Sequence, residues 1–529
     1  MLVGATSVFA QDISTTEIKV LEGFVPEIPD ATRLNEQASF SDTIRKDRTQ
    51  NYEMLEVDLV SDYKTKPLAA AQVKDDKISK LHSTKIGLAF GSTWITQGSF
   101  VHNSKRSKNM SYGVILNHFA HKYSVARNNK NIACLYAKKI TSSHIFNLNL
   151  DYDRRVASYY GDDPIVLSNA SYKLDDLKNR FAYTKLTLAA ISKQESNQKF
   201  NHSTKFFISD LNEFSENQIH LSSNLSRLLY KFPISLAIVF DNYFCYYNPD
   251  IILEEENLTY FSFSPSTSIK KCGFDFDFSV NFEFLSDDSP VSLFPQVRIT
   301  KEFVEDILLL NGGLRYSSQI QTLKLLSDQN PYIHSFGSNQ SIVGSLDSPN
   351  KLKLTGVHEL YLAMRNFLGN NDVFEGSIAY GKVNNLTYFD VDGHRFEIEY
   401  IDAQQLHAYA NYNKSVNELV DLELVINYFA WNKKVYQKPN LTLKFNAPIN
   451  LKDKIKVAPS ISYMSPRRLT ESGEFLSYQF HFNMGLYYFY SEQLSAYLQL
   501  NNLTNSKEDL FWRYREVGFN GLLGLEYLF

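Results

Sequence analysis

Large apolar residues alternate with small or polar ones over most of the chain after residue 83. The clearest example lies between Cys272 and Leu285, where the apolar set alternates with glycine, serine, asparagine and acidic residues: Phe274, Phe276, Phe278, Val280, Phe282 and Phe284. A period of two is the period of a β-strand, and a helix would spread the same phenylalanines around its circumference. The segment therefore predicts a strand with one apolar face and one polar face.

The same alternation recurs in residues 144–153, 421–428 and 478–490. Turn-forming residues separate such segments, for example at 105–109, 128–131 and 369–372. We count about twenty-two segments, each close to the length of a tilted membrane strand. The prediction is an all-β chain that forms a single large antiparallel transmembrane β-barrel of about 22 strands, preceded by an extended N-terminal segment.

The end of the chain carries the most specific pattern. Val517, Phe519, Gly521, Leu523, Leu525, Tyr527 and Phe529 share one strand face, and Phe529 is the last residue. An aromatic terminus with apolar residues at every second position resembles the assembly signal of bacterial outer-membrane barrels. The alternative is an edge strand of a soluble protein, whose exposed apolar edge would invite aggregation. We therefore predict that a barrel-assembly signal is formed by Phe519, Leu523, Leu525, Tyr527 and Phe529.

Composition agrees with a barrel once its two-sided wall is considered. The 529 residues have a mean hydropathy of -0.29, with 38 Phe and 33 Tyr against 3 Trp. A barrel wall faces lipid with only every second residue, and aromatic girdles mark its two interfaces. No stretch reaches the roughly 18 apolar residues of a membrane-spanning helix. A net charge of -4 gives no indication of a nucleic-acid partner.

The first residues differ from the rest of the chain. A short apolar run ends in Val8-Phe9-Ala10 before Gln11, which predicts signal-peptidase cleavage between Ala10 and Gln11. The missing basic start of that signal suggests that the natural start lies upstream. The following residues have mixed charges and few large apolar side chains, which predicts an extended segment. The expected organisation is a signal-peptide remnant at 1–10, an extended polar segment at 11–82 and the barrel at 83–529.

No catalytic or metal-binding constellation stands out, so we predict no enzyme, no metal site and no cofactor. The run from Asp390 to His394 begins like a calcium loop, but Ile401 occupies the place of the closing glutamate, and a hairpin turn is the better interpretation. Asp275, Asp277 and Glu283 could suggest an acid pair, but alternate acids are the normal polarity of a lumen wall. The cysteines are too far apart for a disulfide framework or a paired metal motif: Cys134, Cys245 and Cys272. Catalytic groups assembled from distant strands remain an alternative.

Several motifs carry a resemblance to a known family. Residues 494–529 resemble the last two strands of TonB-dependent receptors, with Asn501-Asn502-Leu503 before an aromatic-rich loop. The strands just upstream in those receptors are similar to Lys438-Pro439 followed by Leu441-Thr442-Leu443, to residues 454–463, and to Ser465-Pro466-Arg467-Arg468. Tyr159-Tyr160-Gly161 and Asn330-Pro331-Tyr332 resemble receptor-like barrels of the phylum Bacteroidota. The resemblance covers about residues 84–529 and implies the outer membrane, with the lipid bilayer, lipopolysaccharide and the barrel-assembly machinery as partners.

The N-terminal part departs from that family. Its receptors carry a folded plug domain before the barrel, whereas only about seventy polar residues stand here before the first predicted strand. We therefore expect a plug-less barrel whose wide lumen is closed by the N-terminal segment, by inward-folded loops or by another protein. Three functions stay open: a non-enzymatic subunit or scaffold of a multi-protein outer-membrane complex, a passive or gated channel, and TonB-dependent nutrient uptake with a plug supplied by a partner.

Overall fold

A computed structural model describes residues 81–105, 107–123, 126–158, 178–193, 200–212, 216–230, 232–245, 257–286, 291–333, 352–369, 372–392, 395–469 and 473–529. All elements below belong to one unit, Ile78–Phe529. The signal-peptide prediction for residues 1–10 and the extended segment up to residue 80 lie outside the described residues. The same holds for Tyr159-Tyr160-Gly161.

Nearly all regular structure in the described part of the chain is β-strand. A 3₁₀ turn at Ser92–Trp94 and one short helix, α1 (Leu323–Gln329), are the exceptions. The strands are β1 (Thr84–Gly91), β2 (Ile95–Asn103), β3 (Met110–Tyr123), β4 (Ala126–Ile140), β5 (His144–Ser158), β6 (Lys178–Ser192), β7 (Asn201–Leu211), β8 (Glu216–Leu229), β9 (Phe232–Cys245), β10 (Leu258–Lys271), β11 (Phe274–Leu285), β12 (Ser292–Val304), β13 (Leu308–Ile320), β14 (Leu354–Phe367), β15 (Val373–Asp392), β16 (Arg395–Ser415), β17 (Asp421–Trp431), β18 (Leu441–Asn446), β19 (Ile449–Leu451), β20 (Ile455–Met464), β21 (Arg467–Arg468), β22 (Phe475–Leu476), β23 (Gln479–Phe489), β24 (Leu494–Asn501), β25 (Asp509–Phe511), β26 (Tyr514–Arg515) and β27 (Asn520–Leu528).

These strands close into one antiparallel ring. Each strand pairs with its neighbours in the chain, and the last strand, β27, pairs with the first from Lys85 opposite Leu528 to Gly91 opposite Leu522. The small hairpins β21–β22 and β25–β26 are separate from the ring. Because β18 and β19 occupy a single strand position in the wall, the barrel has 22 wall strands. A closed ring leaves no unpaired edge in the membrane. The predicted fold class and strand number are confirmed.

The two faces of the wall separate apolar from polar residues as the alternation predicts. On β5, Phe146, Leu148 and Leu150 point outward and are 45%, 42% and 39% exposed. On β11, Phe278 and Phe284 face outward, whereas Asn281 and Glu283 are buried on the lumen side. An apolar outer face and a polar inner face are the mark of a transmembrane barrel, and the wall is that of an outer-membrane protein.

The two ends of the barrel differ in their connections. At the end that holds Thr84 and Phe529, strands are joined by short turns such as 141–143, 272–273 and 305–307. The opposite end carries the longest connections, at 159–177, 321–353, 465–478 and 502–519. Outer-membrane barrels have short periplasmic turns and longer extracellular loops. The chain ends of the barrel are therefore periplasmic, and the long connections are extracellular.

Most predicted turns are found where expected, with two corrections. The turns at 105–109 and 369–372 separate β2 from β3 and β14 from β15, and Asp392 opposite Arg395 closes the predicted hairpin after Asp390. The turn predicted at 128–131 is wrong, because these residues lie within β4 and pair with both neighbours. Cys272 also lies outside its predicted strand, since Cys272 and Gly273 form the turn before β11 with positive φ angles of 54° and 74°. Tertiary pairing overrides the local turn preference of asparagine.

Candidate functional site

Three extracellular segments converge over the lumen and form what we call the lid. Its members are residues 322–333, which include α1, the β25–β26 hairpin at 509–515, and the tip of the β15–β16 hairpin at 386–392 and 395–401. That tip extends past the wall, because β14 pairs with β15 only up to Asn384 and β17 pairs with β16 only from Gln405. The lid therefore draws on two neighbouring connections, β13–β14 and β15–β16, and on the distant connection between β24 and β27.

A buried aromatic and aliphatic cluster holds the lid together. Tyr514 is 1% exposed and stacks on Tyr332, with 3.6 Å between the ring centroids. Phe396 of the hairpin tip packs on Tyr514, and its backbone N–H donates to the Tyr332 carbonyl at 3.2 Å. The cluster continues onto β5–β7 through Ala157, Phe181 and Leu211. Since β6 and β16 are ten strands apart in the ring, this cluster bridges the lumen.

The start of α1 is fixed to one wall by charged groups. Thr322 caps the helix, its hydroxyl accepting from the Leu325 N–H at 3.1 Å. The buried Glu216 carboxylate at the start of β8 accepts from the backbone N–H of Leu323 at 2.8 Å and of Lys324 at 3.4 Å. Lys324 donates to Asp153 of β5 at 3.0 Å. A carboxylate near a helix start satisfies N–H groups that have no partner within the helix.

The Lys324 ammonium is held in a charged pocket of its own. It also donates to Asp328, one turn along α1, at 2.9 Å. Burial alone would lower the pKa of Lys324, but the Asp328 and Asp153 carboxylates outweigh it and raise that pKa above its ordinary value. The lysine therefore stays charged at physiological pH and ties α1 to β5.

A single asparagine fastens the segment after α1. Asn179 of β6 is completely buried, and its side-chain amide donates to the carbonyls of Pro331 at 2.8 Å and Ile333 at 2.9 Å. Asn330 shapes the same segment, because its side-chain oxygen accepts from the Tyr332 N–H at 3.0 Å. The Asn330-Pro331-Tyr332 motif thus lies in the lid, where its backbone bonds the wall and its tyrosine enters the buried cluster.

The third lid segment is anchored by an arginine. Arg467 of β21 is 3% exposed and donates to the carbonyls of Leu510 at 2.6 Å and Asp509 at 2.9 Å. Burial lowers the pKa of Arg467 to about 10, and Glu516 and Asp509 act in the opposite direction. Gln479 of β23 adds a bond to the Asp509 carbonyl at 3.2 Å. The β25–β26 hairpin is therefore held by buried polar groups as well as by its aromatic rings.

The acidic residues of β11 have structural partners. Glu283 accepts from the hydroxyls of Tyr260 at 2.8 Å, Tyr316 at 2.6 Å and Ser318 at 2.6 Å, and from the Asn281 amide at 2.7 Å. The other two carboxylates pair across strands, Asp277 with Arg298 at 2.8 Å and Asp275 with Lys270 at 3.0 Å. The structure keeps the three acids apart in separate contacts along the lumen wall, as the interpretation by wall polarity expects.

The residues of the predicted assembly signal share one outward face. Their side chains are between 39% and 62% exposed, and they run along β27 and its flanks: Phe519, Leu523, Leu525, Tyr527 and Phe529. Phe529 lies at the seam, where its N–H donates to the Thr84 carbonyl at 2.8 Å and its own carbonyl accepts from the Ser83 N–H at 2.9 Å. The terminal residue thus joins the two ends of the wall. Its role in assembly stays a prediction.

The sequence motifs included Asn330, Tyr332 and Arg467, but they did not predict a lid, and the other residues that build it were missed. Two signals were present: the 33-residue connection at 321–353, long for a link between adjacent strands, and Thr322 before a cluster of leucines. The wall anchors Asn179 and Glu216 gave no signal, because each is one polar residue in a strand of alternating polarity.

Among the described residues, no cluster of three or more histidine, cysteine or acidic side chains could hold a metal ion. No helix in the same part of the chain is long and apolar enough to cross a membrane.

Comparison with known proteins places the fold. No family profile and no curated protein sequence matches the chain. Solved TonB-dependent receptors match its structure, including the FrpB iron transporter from Neisseria meningitidis, with 10% identity and a TM-score of 0.64 over 85% of this chain and 82% of that one. The copper transporter OprC is 11% identical, with a TM-score of 0.62 over 85% of this chain and 80% of that one. The ferric-catecholate import receptor Fiu from E. coli K12 is 10% identical, with a TM-score of 0.59 over 85% of this chain and 82% of that one. The chain thus shares the barrel fold of these receptors.

Proposed function

We propose that this protein is a non-enzymatic, non-transporting barrel that serves as a subunit or scaffold of a multi-protein outer-membrane complex. The observation that carries the proposal is the lid, in which segments of the chain itself cross the extracellular end of the lumen. Such a barrel would need no separate plug, which agrees with the plug-less barrel expected from the polar N-terminal part of the sequence. The Bacteroidota-type barrel that the motifs resemble belongs to the same proposal. Inward-folded loops were one of the three expected means of closure.

The anchoring of the lid favours a closed barrel over an open pore. Its contacts with the wall include the bonds made by Asn179 and Glu216, and Arg467 of the separate β21–β22 hairpin holds the β25–β26 hairpin; all three side chains are buried. Buried hydrogen bonds of this kind cost about 1–3 kcal/mol each when one partner is left unsatisfied. A ligand or ion passing through the lumen would have to break several of them together. A lid that stays closed is consistent with a structural subunit that binds its partners through its outer and periplasmic surfaces.

Two measurements on the full chain test this proposal. Affinity purification from detergent-solubilised outer membranes, followed by mass spectrometry, should recover stoichiometric protein partners, and recovery of the monomer alone would argue strongly against a scaffold. In planar lipid bilayers the purified barrel should be silent, while a variant with Asn179→Ala and Glu216→Ala should show open events. Steady conductance of the unmodified protein would instead support a passive channel.

A second candidate is nutrient uptake with a plug supplied by a partner. Its support is the fold, which matches an iron transporter, a copper transporter and a ferric-catecholate import receptor. Under this function the lid would have to open when cargo or the energy-coupling machinery engages. Growth of a deletion strain on limiting iron or copper is the discriminating measurement: a growth defect restored by the gene would favour uptake, and normal growth would disfavour it.

A further inference from the structure

Two lysines of the lumen wall converge on one phenylalanine, and we call the three residues the lumen lysine site: Lys185 of β6 with Lys205 and Phe207 of β7. The Nζ atom of Lys185 lies 5.3 Å from the centroid of the Phe207 ring, and the Nζ atom of Lys205 lies 5.4 Å from it. The ring is buried on the lumen side, since the residues before and after it, Phe206 and Ile208, are exposed on the outward face. Lys185 stands opposite a lumen-facing position of β7. Two positive charges therefore lie beside one ring.

Neighbouring carboxylates do not neutralise this pair of lysines. Asp241 of β9 lies 2.7 Å from the Nδ1 atom of His220, whose ring stacks on the phenylalanine with 4.4 Å between the centroids. Asp151 stands opposite Lys185 and attracts it at longer range. Within the described part of the chain, however, neither Lys185 nor Lys205 takes part in an ion pair or a hydrogen bond. Like charges in a partly buried site repel each other, and an anion between them removes that cost.

Two other basic side chains of the lumen have counter-ions within the chain. Lys324 of the lid pairs with Asp153 at 3.0 Å, and Arg298 of β12 pairs with Asp277 at 2.8 Å. The described residues supply no such partner to the lumen lysine site. Its uncompensated charge, in a chain of net charge -4, indicates an anionic occupant.

A third lysine extends the positive charge toward the periplasm. Lys138 of β4 stands opposite Asn147, Asn147 opposite Ala189, and Ala189 opposite Lys205, so Lys138 and Lys205 lie in one row of lumen positions. Three strand spacings of about 4.8 Å separate the two backbones by roughly 14 Å. Lys138 is near the periplasmic end of its strand, and Lys185 is in the middle of β6. The three lysines thus follow a line from the periplasmic rim to the middle of the wall.

We propose that the lumen lysine site binds acidic side chains of an extended peptide segment that belongs to a periplasmic protein partner. A carboxylate between the two ammonium groups replaces their repulsion by two charge-assisted hydrogen bonds. The line of lysines favours a peptide over a small anion, since roughly 14 Å corresponds to about four residues of an extended chain. The lid covers the extracellular end, so the segment enters from the periplasm. This inference rests on the proposed role as a subunit of a complex and specifies the chemistry of one partner.

The first test uses two full-length variants that lose equal charge. The site variant carries Lys185→Gln and Lys205→Gln, and the control carries Lys444→Gln and Lys456→Gln, two lumen-facing lysines of the opposite wall. Fluorescence anisotropy measures how a labelled peptide of glutamate and serine, about twelve residues long so that it spans the line of lysines, binds each detergent-solubilised barrel. Losing a hydrogen bond to a charged group weakens binding by roughly tenfold or more, so the site variant should bind about 100-fold more weakly. The control should bind like the unmodified protein.

Competing ligands separate a peptide from a small anion. The same peptide with glutamine in place of glutamate should bind about as weakly as the acidic peptide binds the site variant. Equal affinity of the two variants for the acidic peptide, or no binding to the unmodified protein, would overturn the proposal. Glutarate or inorganic phosphate that competes at the concentration of the peptide would assign the lysines to a small anion instead. Migration of the unheated barrel on a gel verifies that both variants are folded.

Cross-linking in isolated outer membranes identifies the natural occupant. A carbodiimide joins a lysine amine to a carboxylate in contact with it, and mass spectrometry identifies the linked peptides. Lys185 or Lys205 should be linked to an aspartate or glutamate of another protein. Links to residues 11–80 of this chain would overturn the proposal in favour of the protein's own N-terminal segment. Partners recovered with the barrel but never linked to these lysines would overturn this inference alone, whereas recovery of no partner would overturn the proposed function as well.

Discussion

Replacing Asn179 by alanine should release the lid while leaving the barrel wall intact. The change removes two amide-to-carbonyl hydrogen bonds, to Pro331 at 2.8 Å and to Ile333 at 2.9 Å, in a site where Asn179 and Ile333 are both fully buried. Each such bond contributes about 0.5–1.5 kcal/mol net, and a buried carbonyl left without a donor costs about 1–3 kcal/mol. We therefore expect the lid to lose roughly 2–4 kcal/mol of its free energy of closure.

Hydrogen exchange measures this loss directly. The amides of Leu326 and Asn330 are protected by bonds to Thr322 and Leu326, and they exchange when the lid opens. Because about 1.4 kcal/mol corresponds to a factor of ten, their protection should fall by roughly 30- to 700-fold. Asn179→Asp should cost more than Asn179→Ala, since it places a carboxylate oxygen against a carbonyl oxygen.

A matched control separates the lid from the rest of the extracellular loops. Asn440 is an exposed asparagine whose amide donates to the Phe429 carbonyl at 2.8 Å, away from the lid. Asn440→Ala should leave the exchange of residues 322–333 unchanged. If Asn179→Ala changes that exchange by less than threefold in a barrel that still migrates as folded, the lid is not held by this asparagine and the reasoning fails.

Three further changes are expected to have measurable effects. Glu283→Ala removes the acceptor of four hydrogen bonds and should lower the free energy of unfolding in urea by about 3–5 kcal/mol. Phe529→Ala should reduce the folded fraction recovered from outer membranes several-fold, whereas Leu528→Ala on the lumen side should not. Equal folded yields of the two variants would argue against a role of Phe529 in barrel assembly. Lys438 keeps some solvent contact, yet burial lowers its pKa to about 8, so the unfolded chain binds more protons than the folded one between pH 8 and about 10.4. The melting temperature should therefore rise with pH across this window, and Lys438→Met should reduce that rise and stabilise the protein at pH 7.

The strands of the wall and their two faces could be predicted from the sequence, because the alternation of apolar and polar residues is visible within each strand. Each strand shows which face meets lipid within about ten residues, as β11 does with its phenylalanines and acids. Neighbouring strands pair in chain order, so the number of alternating segments in the sequence gives the number of wall strands. The error at residues 128–131 has the same origin, because the asparagines suggest a turn locally while pairing with β3 and β5 keeps them in a strand.

The lid could not be predicted because its contacts are distant in sequence. Asn179 and Pro331 are 152 positions apart, and Glu216 and Leu323 are 107 positions apart. Nothing near Asn179 distinguishes it from the other polar residues that face the lumen. Tyr514 and Phe396 also resemble the aromatic residues found throughout the chain until the fold brings them together.

The position of the lid bears on which functions the barrel can perform. Residues 322–333 are tied to β5, β6 and β8 of the ring. The β25–β26 hairpin is tied to β23 of the ring and to β21, and the β15–β16 tip is tied to Tyr332 by the Phe396 N–H. Releasing one anchor leaves the others in place, so complete opening requires that they break together. Thermal motion alone opens such a structure rarely, since the costs of separate buried bonds add when the sites are distant. Passage through the lumen would therefore need an external force or a partner that binds the open state, whereas a structural subunit needs neither.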